Sequence, residues 1–133
     1  MTSYGSVGSL PLQKTEKDGT VTRLDLLQGT LDLLVLRTLS AAPKHGYQIA
    51  RAIKASSQDV LQVEEGALYP ALHRIEARGW VEASWGLSEN KRRAKFYALT
   101  PDGRVALEAQ GKSWDEYVAA VGRVMSEAPG EAS

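Results

Sequence analysis

Residues 66–100 read GALYPALHRIEARGWVEASWGLSENKRRAKFYALT, and the fold turns on how this stretch is divided. Its first part predicts a helix over 66–78. Leu68, Leu72 and Ile75 recur at offsets of four and seven, one face of a 3.6-residue period. The other side carries Tyr69, His73 and Arg74, each able to meet a polar partner. Gly79 follows and can adopt the left-handed conformation that ends a helix. β-favouring residues then cluster at Trp80-Val81 and at Phe96-Tyr97, either side of the polar, cationic run Ser88-Glu89-Asn90-Lys91-Arg92-Arg93. A helix followed by a hairpin with a basic tip is the outline of a winged helix, a module that reads DNA.

Charge distribution supports that outline better than total charge does. The 133 residues hold 16 basic and 16 acidic side chains. Within 66–100 the cations Arg74, Arg78, Lys91, Arg92, Arg93 and Lys95 face only Glu76, Glu82 and Glu89, whereas residues 101–133 carry an acidic excess. Four cations within five positions, Lys91 to Lys95, suit phosphate contact. A merely solvated hairpin tip would show the same composition.

Several classes are excluded. The chain has no cysteine, so disulfides and thiolate metal sites drop out. His45 and His73 are isolated and make no metal cluster, and no cofactor is expected. The run Leu33-Leu34-Val35-Leu36 is far shorter than the roughly 20 residues a membrane helix needs. The start, MTSYGSVGSLPLQK, lacks the basic and apolar regions of a secretory signal, so the cytoplasm is the default location. No nucleophile, base and orienting partner fall at a spacing that suggests an enzyme.

Taken in order, residues 1–22 are polar and small and predict a mobile arm. A first helix is expected from about Gly29 to Ser40, with Thr30 as N-cap and Asp32 in the first turn. Leu31, Leu34, Val35 and Leu39 line one face and Leu36 adds a second, so this helix should be buried on more than one side. Pro43 separates it from a second helix over 46–56, with Ile49, Ala50 and Ile53 inward. Residues 60–63, VLQV, are a candidate extended piece on the edge of the hairpin. Pro70 is the odd residue of the third helix. It removes a hydrogen bond unless it sits in the first turn, which suggests an irregular start near Glu65 and a regular helix from about Tyr69.

Thr100-Pro101 is a strong helix start, with threonine as cap and proline at the first helical position. The last helix should reach about residue 128, leaving 129–133 as a tail. Leu107, Trp114, Val118, Val121 and Met125 fall at helical offsets, widened by Tyr117 and Val124. That much apolar surface on a terminal helix calls for a partner, and a second copy of the chain is the economical one. Folding back onto its own domain is the alternative. The organisation expected is thus a mobile arm (1–22), a winged helix domain (23–100), a dimerisation helix (101–128) and a disordered tail. In class it is mainly α (α+β), with a two-stranded wing.

Five motifs, in order, sharpen this reading: LQGTLDLLVL at 27–36, HGY at 45–47, EGALYPALHRIE at 65–76, GW at 79–80 and RRAKFYALTPDG at 92–103. Together they resemble the PadR family of bacterial transcriptional regulators, in its short form with a single C-terminal helix. The resemblance spans about residues 24–114. It implies a winged helix-turn-helix, a C-terminal dimerisation helix, a repressor that binds a palindromic operator, and in some members release by a small aromatic or lipophilic effector near the dimer interface. It puts Tyr47 and Tyr69 on DNA-proximal elements.

Because helix-turn-helix proteins lay the second helix in the major groove, Tyr69, His73 and Arg74 become the exposed candidates. Ala67, Pro70 and Ala71 would allow close approach. Arg74 can fork to guanine or grip a phosphate, while Tyr47 and Tyr69 suit phosphates. Lys91, Arg92, Arg93 and Lys95 would reach the backbone or minor groove through the wing. Trp114 is the candidate effector contact, with interface packing as its other reading. The expected partners are double-stranded DNA and a second copy of the chain, with no membrane. A winged helix that binds protein instead of DNA is the competing reading.

Overall fold

A computed structural model describes residues 23–127, with side chains from residue 29 onward. The arm at 1–22 and the tail at 129–133 lie outside the described residues. The elements in order are α1 (Arg23–Leu39), β1 (Lys44–His45), α2 (Gly46–Ser56), α3 (Glu65–Ala77), β2 (Val81–Leu87), β3 (Arg93–Leu99) and α4 (Pro101–Met125). The three strands form one antiparallel sheet in the order β1-β3-β2. This is a winged helix: three helices, a hairpin wing, and a long fourth helix leaving the domain.

α1 begins six residues earlier than the sequence suggests, so Thr30 lies inside the helix and is not its N-cap. The preceding residues RLDLLQ are mostly good helix formers, and a single glycine costs only about 1 kcal/mol. Nothing there stops the helix. Val35, Leu36 and Leu39 are buried, with Leu31 and Leu34 packed beside them. As the two apolar faces predict, α1 is covered from more than one side.

α2 starts and ends where its pattern says. His45 caps it: the Gln48 amide donates to His45 Nδ1 (3.4 Å) and the His45 amide donates to Gln48 Oε1 (3.1 Å), a reciprocal capping box. After Ser57, Gln58 and Asp59 both take left-handed conformations (φ 55° and 69°) and turn the chain toward α3. Residues 60–63 are not a strand. The hairpin edge at Phe96 and Tyr97 is taken by His45 and Lys44 instead, so a third strand exists but comes from another segment. From 60–63 only Val63 packs against the core.

α3 is helical from Glu65 onward, without the irregular start anticipated from Pro70. Pro70 is the sixth residue of the helix and leaves the Gly66 carbonyl without an N–H donor. Both residues are exposed, so water can satisfy that carbonyl. Leu68, Leu72 and Ile75 are buried, at about 1.5–3 kcal/mol each. Ala71 is also buried, and so belongs to the core and not to the outer surface. The helix closes as its glycine predicts: Gly79 has φ 79°, its amide donates to the Glu76 carbonyl, and the Trp80 amide donates to the Ile75 carbonyl.

One threonine joins three elements. The Thr100 hydroxyl donates to the Gly79 carbonyl (2.6 Å) and accepts from the Gly103 amide (3.0 Å), while the Thr100 amide donates to the Trp80 carbonyl (3.0 Å). Pro101 follows at the helix start. Gly103 is buried against the Trp80 carbonyl and a Leu99 methyl. The first turns of α4 therefore lie flat on the domain, and Leu107 packs against the core. Leu107 is thereby removed from the free stripe on which the periodicity placed it.

Candidate nucleic-acid interface

Beyond Glu65 at its first position, the exposed residues of α3 recur at helical spacing: Gly66, Ala67, Tyr69, Pro70, His73 and Ala77. This outer face of the second helix in the helix-turn-helix is small and weakly charged. Ala67 and Pro70 offer little bulk, and Tyr69 and His73 supply polar atoms. Tyr69 lies over the start of α2. A Cβ on Gly46 would come within 2.5 Å of its hydroxyl oxygen, so the glycine of HGY is what lets Tyr69 fit there.

Arg74 is not a free arm. Its guanidinium donates to both carboxylate oxygens of Asp32 in α1, from Nη2 at 2.7 Å and from Nε at 3.3 Å. The side chain is half-buried and its Nε and Nη2 are taken by Asp32, so Arg74 fastens α3 to α1 and is not the freely exposed candidate its position implied. Burial pushes the Asp32 carboxyl up from its usual range, and the Arg74 and Arg78 charges oppose that shift without cancelling it.

Tyr47 is 65% exposed at the start of α2, with the Arg51 guanidinium 5.6 Å from its ring centre. It does not pack beneath α1. Across from it stands the wing. The Ser88 carbonyl accepts from the Lys91 amide, the Ser88 amide donates to the Arg92 carbonyl, and Lys91 takes a left-handed conformation (φ 60°) at the tip. Lys91, Arg92 and Arg93 are exposed. Lys95 is half-buried, its ammonium 5.8 Å from the Tyr97 ring centre.

The wing tip is fastened to the helix-turn-helix through a contact that sequence offsets do not reveal. His45 Nε2 lies 3.2 Å from Glu89 Oε1. Because Nδ1 accepts from the Gln48 amide, Nε2 is the nitrogen that carries the proton and donates. The Glu89 carboxyl sits below its ordinary range, chiefly through a hydrogen bond to its own amide and secondarily through His45. The His45 ring also meets the Phe96 ring edge-on at 5.2 Å.

α2, α3 and the wing enclose a concavity of about 730 Å³. Tyr47, Arg51, Tyr69, His73, Arg93 and Lys95 are among its walls, with Trp85. Predicted residues from all three elements thus face one space. Trp85 was missed by the sequence reading; only its strand register puts it on this face.

Along α4 beyond Leu107, Trp114, Tyr117, Val118, Val121, Val124 and Met125 are all exposed, 40% to 76%. Trp114 and Tyr117 lie side by side, ring centres 6.0 Å apart. Among the described residues no helix is long and apolar enough to cross a membrane, and no cluster of side chains is placed to hold a metal.

A helix-turn-helix with a cationic wing beside a shared concave face defines a winged-helix module. Residues 35–109 match the transcriptional regulator PadR-like family, over half of the chain, and the chain belongs to that family. It is 30% identical over 94 residues to a Lysinibacillus sphaericus protein named uncharacterized protein X, covering 71% of this chain and 86% of that one. It is 40% identical over 81 residues to a protein of a Streptomyces fradiae transposon, covering 61% of this chain but only 22% of the longer relative. Among solved structures, a PadR family transcriptional regulator from Eggerthella lenta is 28% identical, with a TM-score of 0.65 over 79% of this chain and 89% of that one. The family is one of transcriptional regulators, not enzymes.

Proposed function

We propose that the chain is a sequence-specific DNA-binding repressor that acts in the cytoplasm as a homodimer on a palindromic operator. The observation that carries this reading is the convergence of Tyr47, Tyr69 and His73 with two of the wing cations, Arg93 and Lys95, on one concave face. The outer face of α3 enters the major groove. Ala67 and Pro70 let the backbone come close, His73 meets base edges, and Tyr47 and Tyr69 bond phosphates. Lys91, Arg92, Arg93 and Lys95 hold the backbone from the wing. Arg74 sets the angle of α3 through Asp32 and reads no base.

The exposed stripe Trp114-Tyr117-Val118-Val121-Met125 pairs with its copy, making residues 101–128 the dimerisation segment and 23–100 the DNA-binding unit. The adjoining rings of Trp114 and Tyr117 give a small aromatic or lipophilic effector a surface to stack on at that seam.

Binding to a pool of mixed duplexes over a salt series tests the reading. Wild type should bind at low salt with a steep salt dependence. Arg92→Ala with Arg93→Ala should weaken binding to every sequence and flatten the slope by about one to two. Absence of binding at low salt would favour a protein-binding winged helix, and an unchanged slope in the double variant would remove the wing from the mechanism.

A further inference from the structure

The register of the wing segregates its charge. Trp85 pairs with Lys95 and Leu87 with Arg93. Because side chains alternate along a strand, Trp85, Leu87, Arg93 and Lys95 share one face, and it holds both cations of the hairpin strands. The opposite face, Glu82 to Gly86 against Ala94 to Ala98, holds none.

On that cationic face Trp85 is 60% exposed, an unusual place for an indole that only serves packing. The Arg93 guanidinium lies 4.4 Å from the centre of its ring, inside the range of a cation–π stack. The two are diagonal neighbours across the hairpin, close enough for long side chains to meet. Among the described residues, neither Lys91 nor Arg92 at the tip has an aromatic partner.

Stacking has a specific consequence for an arginine. It occupies the flat face of the guanidinium and leaves the in-plane N–H groups free for oxygen acceptors. It also removes in advance the rotamer freedom that a loose side chain would lose on gripping a phosphate.

We propose that Trp85 is a positioning residue for DNA binding, whose indole fixes the Arg93 guanidinium at the wing edge as a preset contact to a backbone phosphate. The inference rests on the DNA-binding reading given above. It separates Lys91 and Arg92, which have no aromatic partner at the tip, from Arg93, held by Trp85, and Lys95, which lies against Tyr97.

A double-mutant cycle on a selected duplex tests it. At about 0.1 M salt, Arg93→Ala should weaken binding roughly tenfold, the worth of one phosphate contact, and Trp85→Ala should lose nearly as much. The double variant should be no weaker than Arg93→Ala alone, because Trp85 acts through Arg93. Trp85→Phe, which keeps a flat ring, should recover most of the loss. In an Arg93→Lys background, with the charge kept but the planar stack gone, Trp85→Ala should have little further effect. Losses that multiply in the double variant, or a Trp85→Ala protein that binds like wild type, would overturn the proposal while leaving the DNA-binding reading intact. A wild-type chain that binds no duplex would overturn both.

Discussion

Replacing Val118 and Val121 by glutamate should leave the winged helix folded and reduce affinity for a two-half-site duplex by about 10²- to 10⁴-fold. Both valines lie on the exposed apolar stripe of α4, 45% and 40% exposed. Removing them costs the single chain little, since exposed substitutions away from special features usually move stability by less than about 0.5 kcal/mol. In a self-paired stripe the outcome differs. Each glutamate would face an apolar copy of the same surface, and burial of an unpaired carboxylate is strongly opposed. A dimer engages its second half-site at an effective concentration set by the link between subunits, and a monomer forfeits that advantage. Sedimentation should report a monomer, far-UV circular dichroism an unchanged helix content, and binding to a single half-site a much smaller loss. A variant that stays dimeric would assign the stripe some other purpose.

Gly103→Ala should destabilise the fold by about 3 kcal/mol, the upper end for overpacking, lowering Tm by roughly 10–20 °C in a domain of this size. The added methyl would meet the Trp80 carbonyl, which is backbone and cannot swing aside, and the Leu99 side chain. That carbonyl also accepts from the Thr100 amide, so it is held from both sides. Relief requires lifting the first turn of α4 off the sheet, which strains the cap at Thr100 and loosens Leu107. Gly111→Ala is the contrast. It lies in the same helix, its added methyl meets nothing within 4 Å, and alanine should gain about 0.5–1 kcal/mol over glycine there. Thermal unfolding of the two variants separates a steric glycine from an incidental one.

Local rules carry much of this fold. The limits of α2, the left-handed Gly79, the cap at Thr100 and the inward set Leu68-Leu72-Ile75 all follow from side-chain period and backbone chemistry within a few residues. The start of α1 escaped because Gly29 and Thr30 resemble a boundary, yet a glycine costs too little to end a helix with apolar cover. Pro70 suggested an irregular helix start, but solvent exposure makes its missing hydrogen bond tolerable in a regular one.

What stayed hidden was tertiary. Arg74 shares an outer flank with His73, but its partner Asp32 lies 42 residues away, and only the packing of α1 on α3 shows that the two are paired. Leu107 follows the period of the apolar stripe on α4, yet Gly103 holds the first turns of α4 so close that this leucine packs against the core. Trp85 could not be assigned a face until the register with Lys95 was known. The tie between His45 and Glu89 joins a helix cap to a loop tip, and no spacing rule links those. Of the candidate interface, the elements and the wing cations were legible in the sequence. Which side chains remain free to touch a partner was not.

On the proposed function, two copies of this winged helix, joined through α4, read a symmetric DNA sequence. Selecting bound duplexes from a random pool with the full chain tests it most directly. The expected result is enrichment of an inverted repeat whose half-sites lie about one helical turn apart, or a multiple of that. Enrichment of a lone, asymmetric half-site would contradict the dimeric reading, and no enrichment at all would contradict sequence-specific binding.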